Sequence, residues 1–395
     1  EEAEDLKDFA DLARKHKSFL AIALMEKAKD GRTYCTALLL DRQGAVGGKY
    51  RKTHALPDDT MALGDDLPVF KTEIGTIGLS LSTDIYFPEL YTVQWMKGAE
   101  ILVWQHAPER FREDYAWPAL LKARSLDNHA HVVAAMYADP RTYITNRYEA
   151  GWPGAAWGRS MVLNRVGVPV ADTGHDEGIA TAIVNLDKRK INAWAPYSRT
   201  ENIFYVNNLG DRTAFRPLAE PWQKPKLPAF KKRKARIAVA HFSHPKQWAD
   251  GDAVPTELFR AMDDALRQQP DLVLFSEMGA RHIDEKTNKV VPMVAERARK
   301  AGAYILIGGL DTEGRRSNAW LWDREGKIVF REPIYWTEGF PEIKVYDTDF
   351  ARIGVHQCGD LYLGEIDRVL ALKGAEIILD PSHMWGADGH NNQLL

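Results

Sequence analysis

Ile353-Gly-Val-His-Gln-Cys-Gly-Asp-Leu-Tyr-Leu-Gly-Glu365 and its earlier echo, Ile77-Gly-Leu-Ser-Leu-Ser-Thr-Asp-Ile-Tyr-Phe-Pro-Glu89, decide how this chain is read. Each is a short apolar strand that runs into a small nucleophilic residue, a tight turn with Asp, and an amphipathic helix. Such an elbow lifts one side chain out of a sheet. It also sets helix N–H dipoles beside that side chain, which favours a thiolate or an oxyanion there. The elbow residue is Cys358 in the later copy and Ser82 in the earlier one.

Outward from these elbows the chain repeats itself. Leu38-Leu-Leu-Asp-Arg-Gln-Gly44 matches Trp320-Leu-Trp-Asp-Arg-Glu-Gly326, 282 residues on, and Lys97-Gly-Ala-Glu-Ile-Leu102 matches Lys373-Gly-Ala-Glu-Ile-Ile378, 276 residues on. Asp84 and Asp360 share the second offset, so six residues are expected to be lost between Gly326 and Ile353. The stretch from Arg216 to Arg236 holds Pro217, Pro221, Pro225 and Pro228, then Lys231-Lys-Arg-Lys234. It reads as a linker, since proline blocks helix and sheet and the charge run wants water. Two domains follow: 1–222 and 235–395, joined by 223–234. The first has no counterpart of the strand and helix that open the second (Ala235 to Gln269). The second has no counterpart of the first beyond His106. Both copies are therefore expected to be incomplete.

Within the first copy the spacing predicts a helix over Glu1 to Lys17 and strands over Phe19 to Leu24 and Tyr34 to Asp41. Further strands are expected over Gly98 to Trp104 and Val132 to Met136, a helix over Trp117 to His129, and a hairpin over Ser160 to Val170. Strands alternating with helices, some strands joined as hairpins, indicate layered α/β architecture with mixed sheets.

At 395 residues two cores are the natural prior. A formal net charge of −3 draws the chain neither to nucleic acid nor to anionic lipid, and the basic run lacks the interleaved aromatics that stack on bases. No apolar run approaches the roughly 18 residues of a membrane-spanning helix. Two cysteines, Cys35 and Cys358, suit a reducing compartment, and a cytoplasmic setting is expected. The first residue is Glu1 and not Met, which leaves targeting open.

The motifs resemble the nitrilase superfamily of carbon–nitrogen hydrolases. They are Gly48-Lys-Tyr-Arg-Lys-Thr-His54, Asp84-Ile-Tyr-Phe-Pro-Glu89, Gly98-Ala-Glu-Ile-Leu102, Ala123-Arg-Ser-Leu-Asp-Asn128 and Gly158-Arg-Ser160, then Leu274-Phe-Ser-Glu277 and Cys358-Gly-Asp360. The resemblance implies a four-layer α-β-β-α sandwich in each of two tandem copies, with self-association through the sandwich layers. It also implies a small amide or nitrile substrate, a Glu–Lys–Cys chemistry, and no metal or organic cofactor. In that chemistry a thiolate attacks the substrate carbon and a carboxylate shuttles the proton. An ammonium offsets the charge that builds on the substrate, and a thioester intermediate is hydrolysed.

Carried over residue by residue, the roles divide. Glu277 matches the base and Cys358 the nucleophile, but the lysine of that copy is missing: Lys52 falls on Ile334 or Ile328. Arg331 is the cation available within Ile328 to Ile334. In the first copy Lys52 matches the lysine, Ser82 stands where Cys belongs, and the base would fall before Glu1. The bland readings stay beside these. Cys358 and Cys35 could be core thiols, Glu277 a strand-end acid, Lys52 a loop partner of Asp58 or Asp59, and Ser82 a small residue the turn tolerates. His241, His244, His383 and His390 lack partners at metal-ligand spacing and read as loop or core side chains. The loops Arg110 to Trp117 and Asp139 to Trp157, aromatic and Arg-rich, are candidates to line a pocket. The first expectation is an amidase- or nitrilase-type hydrolase, with Arg331 or a residue of the other copy replacing the lysine. The rivals are a catalytically silent tandem scaffold and an acyltransferase that uses the same thioester.

Overall fold

The structure, a computed structural model, describes residues 4–55, 60–106, 117–136, 158–174, 177–186, 223–231, 234–242, 256–277, 280–283, 289–310, 317–335 and 341–382. The chain divides into two compact units, Glu1–Glu201 and Asn202–Leu394. The loop candidates 110–116 and 139–157, together with His244, His383 and His390, lie outside the described residues.

In the first unit α1 (Glu4–His16) precedes a three-stranded sheet, β1 (Leu20–Lys27), β2 (Thr33–Leu40) and β3 (Val46–Arg51), paired antiparallel in that order. A six-stranded sheet follows: β4 (Val69–Thr72), β5 (Gly75–Leu81), β6 (Ile101–His106), β7 (His131–Met136), β8 (Met161–Leu163) and β9 (Pro169–Asp172). Helices α2 (Pro88–Met96) and α3 (Trp117–Asn128) complete it. Ala13 of α1 packs with Ile22, Leu38 and Leu40 on one face of the small sheet. Ala37, Leu39 and Tyr50 on the other face join Ile77, Leu79 and Leu81 of the large sheet, with Leu90, Tyr91 and Leu121 of the helices behind. Alternate residues of one strand therefore serve two apolar layers, as the period of two requires. The order is helix, sheet, sheet, helix.

The second unit repeats the plan. Its larger sheet runs β10 (Ile237–Val239), β11 (Leu272–Leu274), β13 (Tyr304–Leu310), β14 (Ser317–Trp322) and β15 (Ile328–Pro333), with β12 (Ala280–His282) beside β13. The first three are parallel, and β13, β14 and β15 are antiparallel. A smaller sheet holds β16 (Val345–Asp347), β17 (Arg352–Val355) and β18 (Ile377–Leu379). The helices are α4 (Thr256–Leu266), α5 (Val290–Ala301) and α6 (Gly364–Leu372). Phe259 and Met262 of α4 and Val294 and Ala298 of α5 cover Val273, Ile305, Ile307, Trp320 and Trp322. Between the sheets lie Leu272, Leu306, Ala319, Leu321, Phe330, Ile353, Val355 and Leu379. Ile366, Val369 and Leu370 of α6 close the far side against Tyr335 and Ile343. All six residues of β14 are buried, as a central strand covered on both faces must be.

The repeat is exact in register. Ala37↔Tyr50 in one ladder becomes Ala319↔Glu332 in the other, and both ladders slip at the same place, between Leu39 and Leu40 and between Leu321 and Trp322. The strands at the elbows share their register likewise: Ile77↔Ile101 becomes Ile353↔Ile377. The offset changes from 282 to 276 after Pro333 and before Val345, which narrows the six-residue loss to that connection.

Candidate active site

Each elbow rests on a non-glycine residue with left-handed backbone: φ is 47° at Ser82 and 50° at Cys358. A side chain in that region costs about 1 kcal/mol or more, so the surrounding structure has to hold it there. An aspartate does so in both copies. Asp360 Oδ2 accepts from the backbone N–H of Gln357 (3.1 Å) and of Tyr335 (3.1 Å). Asp84 Oδ2 accepts from Leu81 N–H (2.9 Å) and the Tyr50 hydroxyl (2.7 Å). Asp84 Oδ1 accepts from His54 N–H (3.2 Å). A 3-10 turn, Ser82–Tyr86 or Cys358–Tyr362, then leads into α2 or α6. Cys358 is half-buried, and its N–H donates to the Ser382 hydroxyl at 3.2 Å. Cys35 is half-buried on β2 and packs against the first unit's core.

Glu277 reaches the same end of the second unit by a chain of pairings. Beyond β11 the parallel pairing continues through Phe275 N–H to Leu306 O (2.9 Å) and Gly308 N–H to Ser276 O (3.2 Å). The chain then bends over Gly308, where a Cβ would fall 2.2 Å from Glu277 Cα. Gly308 pairs with Ala319 and Ala319 with Glu332. Gly308, Ala319 and Glu332 thus form a row across the sheet, and Glu277 lies over its Gly308 end. Ala319 packs in the core between the two sheets, so the row lies on the inner face. The Glu332 end is tied to the elbow, because Gln357 Nε2 donates to Glu332 O at 2.8 Å. Glu277 is 6% exposed. The second unit therefore brings Glu277 and Cys358 to one end of one sandwich.

The cation is another matter. Lys52 N–H donates to Cys35 O, and the same bond recurs as Ile334 N–H to Ser317 O, which pins Ile334 to the lysine position. Arg331 corresponds to Lys49. Its guanidinium lies over the Trp320 ring, 4.5 Å from the centroid, with Nε donating to Asn318 Oδ1 at 3.2 Å. Trp320 belongs to the helix-facing core, so Arg331 is on the outer face of the sheet and is not brought to the elbow. In the first unit Lys52 is buried beside the Ser82 elbow, where the Thr83 hydroxyl donates to His54 O at 2.8 Å. That unit pairs a lysine with an elbow serine; the second pairs a glutamate with an elbow cysteine.

Three residues at the second elbow were not singled out in the sequence: Glu332, Tyr335 and Lys344. Glu332 is 1% exposed, and burial pushes its carboxyl up to about 7 against the pull of Lys344, whose Nζ lies 3.6 Å from Oε1. Burial, with Glu332 beside it, also pushes the Tyr335 hydroxyl up. The signal available was the exchange of Tyr50 for an acid in an apolar strand. Beneath α6, His356 Nε2 lies 3.5 Å from Asp367 Oδ1, where the first unit has the Ser80–Tyr91 pair. Burial raises the Asp367 carboxyl. A groove between α4 and α5, lined by Phe259, Asp263 and Arg297, is on the other side of the large sheet from this chemistry. Among the described residues no His, Cys, Asp or Glu cluster could hold a metal, and no helix is long and apolar enough to cross a membrane.

Among known proteins, a 30% identical stretch of 173 residues aligns with deaminated glutathione amidase of Synechocystis, covering 40% of this chain and 60% of that protein. Human omega-amidase NIT2 is 26% identical over 198 residues, 47% of this chain and 68% of the relative. The chain thus spans about 60% of the first relative's length. The crystal structure of a carbon–nitrogen hydrolase from Helicobacter pylori G27 aligns with a TM-score of 0.43 and 27% identity, covering 53% of this chain and 76% of that one. The family model described as carbon–nitrogen hydrolase matches residues 1–196 and again 241–393, once for each copy. With both copies matched over most of the chain, this protein belongs to the carbon–nitrogen hydrolase family.

Proposed function

We propose that the second copy hydrolyses the C–N bond of a small amide through a thioester on Cys358, with Glu277 as the base. The observation that carries this reading is the left-handed elbow at Cys358 at the same end of the sandwich as buried Glu277. Glu277 takes the thiol proton, and the thiolate sulfur bonds to the amide carbon. The C–N bond breaks as Glu277 passes that proton to the departing amine. Water then attacks the thioester; Glu277 accepts its proton and returns it to the sulfur, releasing the acid. The names of the relatives, amidases of ω-amides and of deaminated glutathione, suggest short amides that carry a carboxylate.

The test is ammonia release from a panel of aliphatic amides and ω-amido acids, with intact-mass detection of the acyl-enzyme. Activity that disappears in Cys358→Ala and falls at least about a hundredfold in Glu277→Gln supports the reading. Absence of ammonia from every amide, or activity that survives Cys358→Ala, rejects it. A second reading, a silent tandem scaffold, is favoured by Ile334 at the lysine position, and the same null result would support it.

A further inference from the structure

We propose that Glu332 and Lys344 form the charge-bearing half of the Cys358 site, a carboxyl–ammonium pair that takes over the electrostatic duty of the lysine absent at Ile334. Its role in hydrolysis rests on the reading above, but its effect on the thiol does not. Four observations converge. Glu332 replaces Tyr50 in an otherwise conserved ladder register, and its partner Ala319 fixes it on the inner face. Its backbone carbonyl holds Gln357, the residue before Cys358, while Asp360 holds both Gln357 and Tyr335. Lys344 precedes β16, where Val345 pairs with Gly354, so it stands level with Val355, three residues before Cys358. The Tyr335 hydroxyl and the Lys344 ammonium both act on the buried Glu332 carboxyl, with Lys344 Nζ 3.6 Å from Oε1.

Among the described residues, the charged and titratable groups facing Glu332 are Lys344 on the lead into β16, the Tyr335 hydroxyl after β15, and Lys373 beyond α6. Asp360 in the elbow turn acts on Tyr335, and Lys373 is itself paired with Glu342 at 3.1 Å. While Glu332 holds its proton the Glu332–Lys344 pair carries one positive charge. Once the carboxyl ionises, near pH 7, the pair is neutral. A net positive charge beside a thiol favours the thiolate. The site is thus most acidifying on the acid side of neutrality and loses that help as pH rises.

The experiment is alkylation of the full chain by iodoacetamide from pH 5 to 9, read at the Cys358 peptide by mass spectrometry. A unit charge within about 10 Å of the sulfur, at an effective dielectric near 20, shifts the thiol by about one pH unit. Glu332→Gln keeps the pair cationic at every pH. It should react about three- to tenfold faster than the parent near pH 7.5 and at the same rate below pH 6. Lys344→Ala, at an exposed position, should be about threefold slower at pH 6, and Lys344→Arg should restore the rate. Superimposable profiles for the parent and Glu332→Gln, or a Cys358 that does not react at all, overturn the inference even if an amide is hydrolysed. The predicted profiles in a chain that hydrolyses no amide keep the inference and reject the hydrolase.

Discussion

Replacing Glu332 by glutamine should stabilise the second unit at alkaline pH and do much less at acid pH. The carboxyl sits at about 7 in the folded chain, against an ordinary 4.5, because burial disfavours its charged form. The sign follows from linkage. The folded state holds the proton more tightly than the unfolded chain, so stability is full below about pH 4.5 and drains away as pH rises toward 7. With those two values the loss is about 1 kcal/mol at pH 5 and about 3 kcal/mol at pH 8. Glutamine does not ionise, so the variant escapes the loss, while any change in packing or hydrogen bonding enters equally at both pH values. Urea unfolding of the full chain, followed by circular dichroism, supplies the comparison. The stability difference between variant and parent should grow by about 2–3 kcal/mol from pH 5 to pH 8. In midpoint this is about 1 M urea, for a slope of about 2 kcal/mol/M. A difference that does not change with pH would refute the reasoning, because it would mean that Glu332 titrates alike in the folded and unfolded chain.

Three further outcomes follow from the geometry. Gly308→Ala places a carbon 2.2 Å from Glu277 Cα, so the bend must move; a loss of about 1–3 kcal/mol and a sharp fall in ammonia release are expected from unfolding curves and assay together. Asp360→Ala strips the acceptor from the N–H groups of Gln357 and Tyr335. It should cost about 2 kcal/mol or more and lower Cys358 alkylation, whereas an unchanged alkylation rate would show that the turn holds without it. The bond from Arg51 holds Glu26 in the first unit at about 2. Its stabilisation is present above about pH 4.5 and is lost as pH falls toward 2. Glu26→Gln should therefore remove about 1–2 kcal/mol at pH 7 and little at pH 2.5 in paired denaturation curves, the figure being reduced because the side chain is a fifth exposed.

The duplicated architecture was legible because repeats leave matching words at constant spacing, and the elbows because a strand, a small nucleophile and an Asp turn lie within a dozen residues. The helix expected over Glu1 to Lys17 appears as Glu4–His16, and the expected hairpin at Ser160 to Val170 as β8 and β9. Strands β3 and β4 escaped notice. Val46 to Arg51 and Val69 to Thr72 are short and mostly polar or half-exposed, so neither alternation nor an apolar run marks them. At the site, charge type alone suggested Arg331. Period two puts Arg331 and Glu332 on opposite faces of β15, and only the packing of Trp320 and Ala319 says which face looks toward Cys358. Lys344 was invisible for a different reason: it meets Glu332 through two sheets that no local pattern connects.

The left-handed corner persists at Ser82, within 3° of its counterpart, although the atom it presents is oxygen. Sulfur and oxygen at that corner differ by a single atom on an unchanged backbone. Ser82→Cys is therefore the smallest graft this fold offers: it would set a thiol on a corner that already has the backbone of Cys358, in the unit that holds buried Lys52.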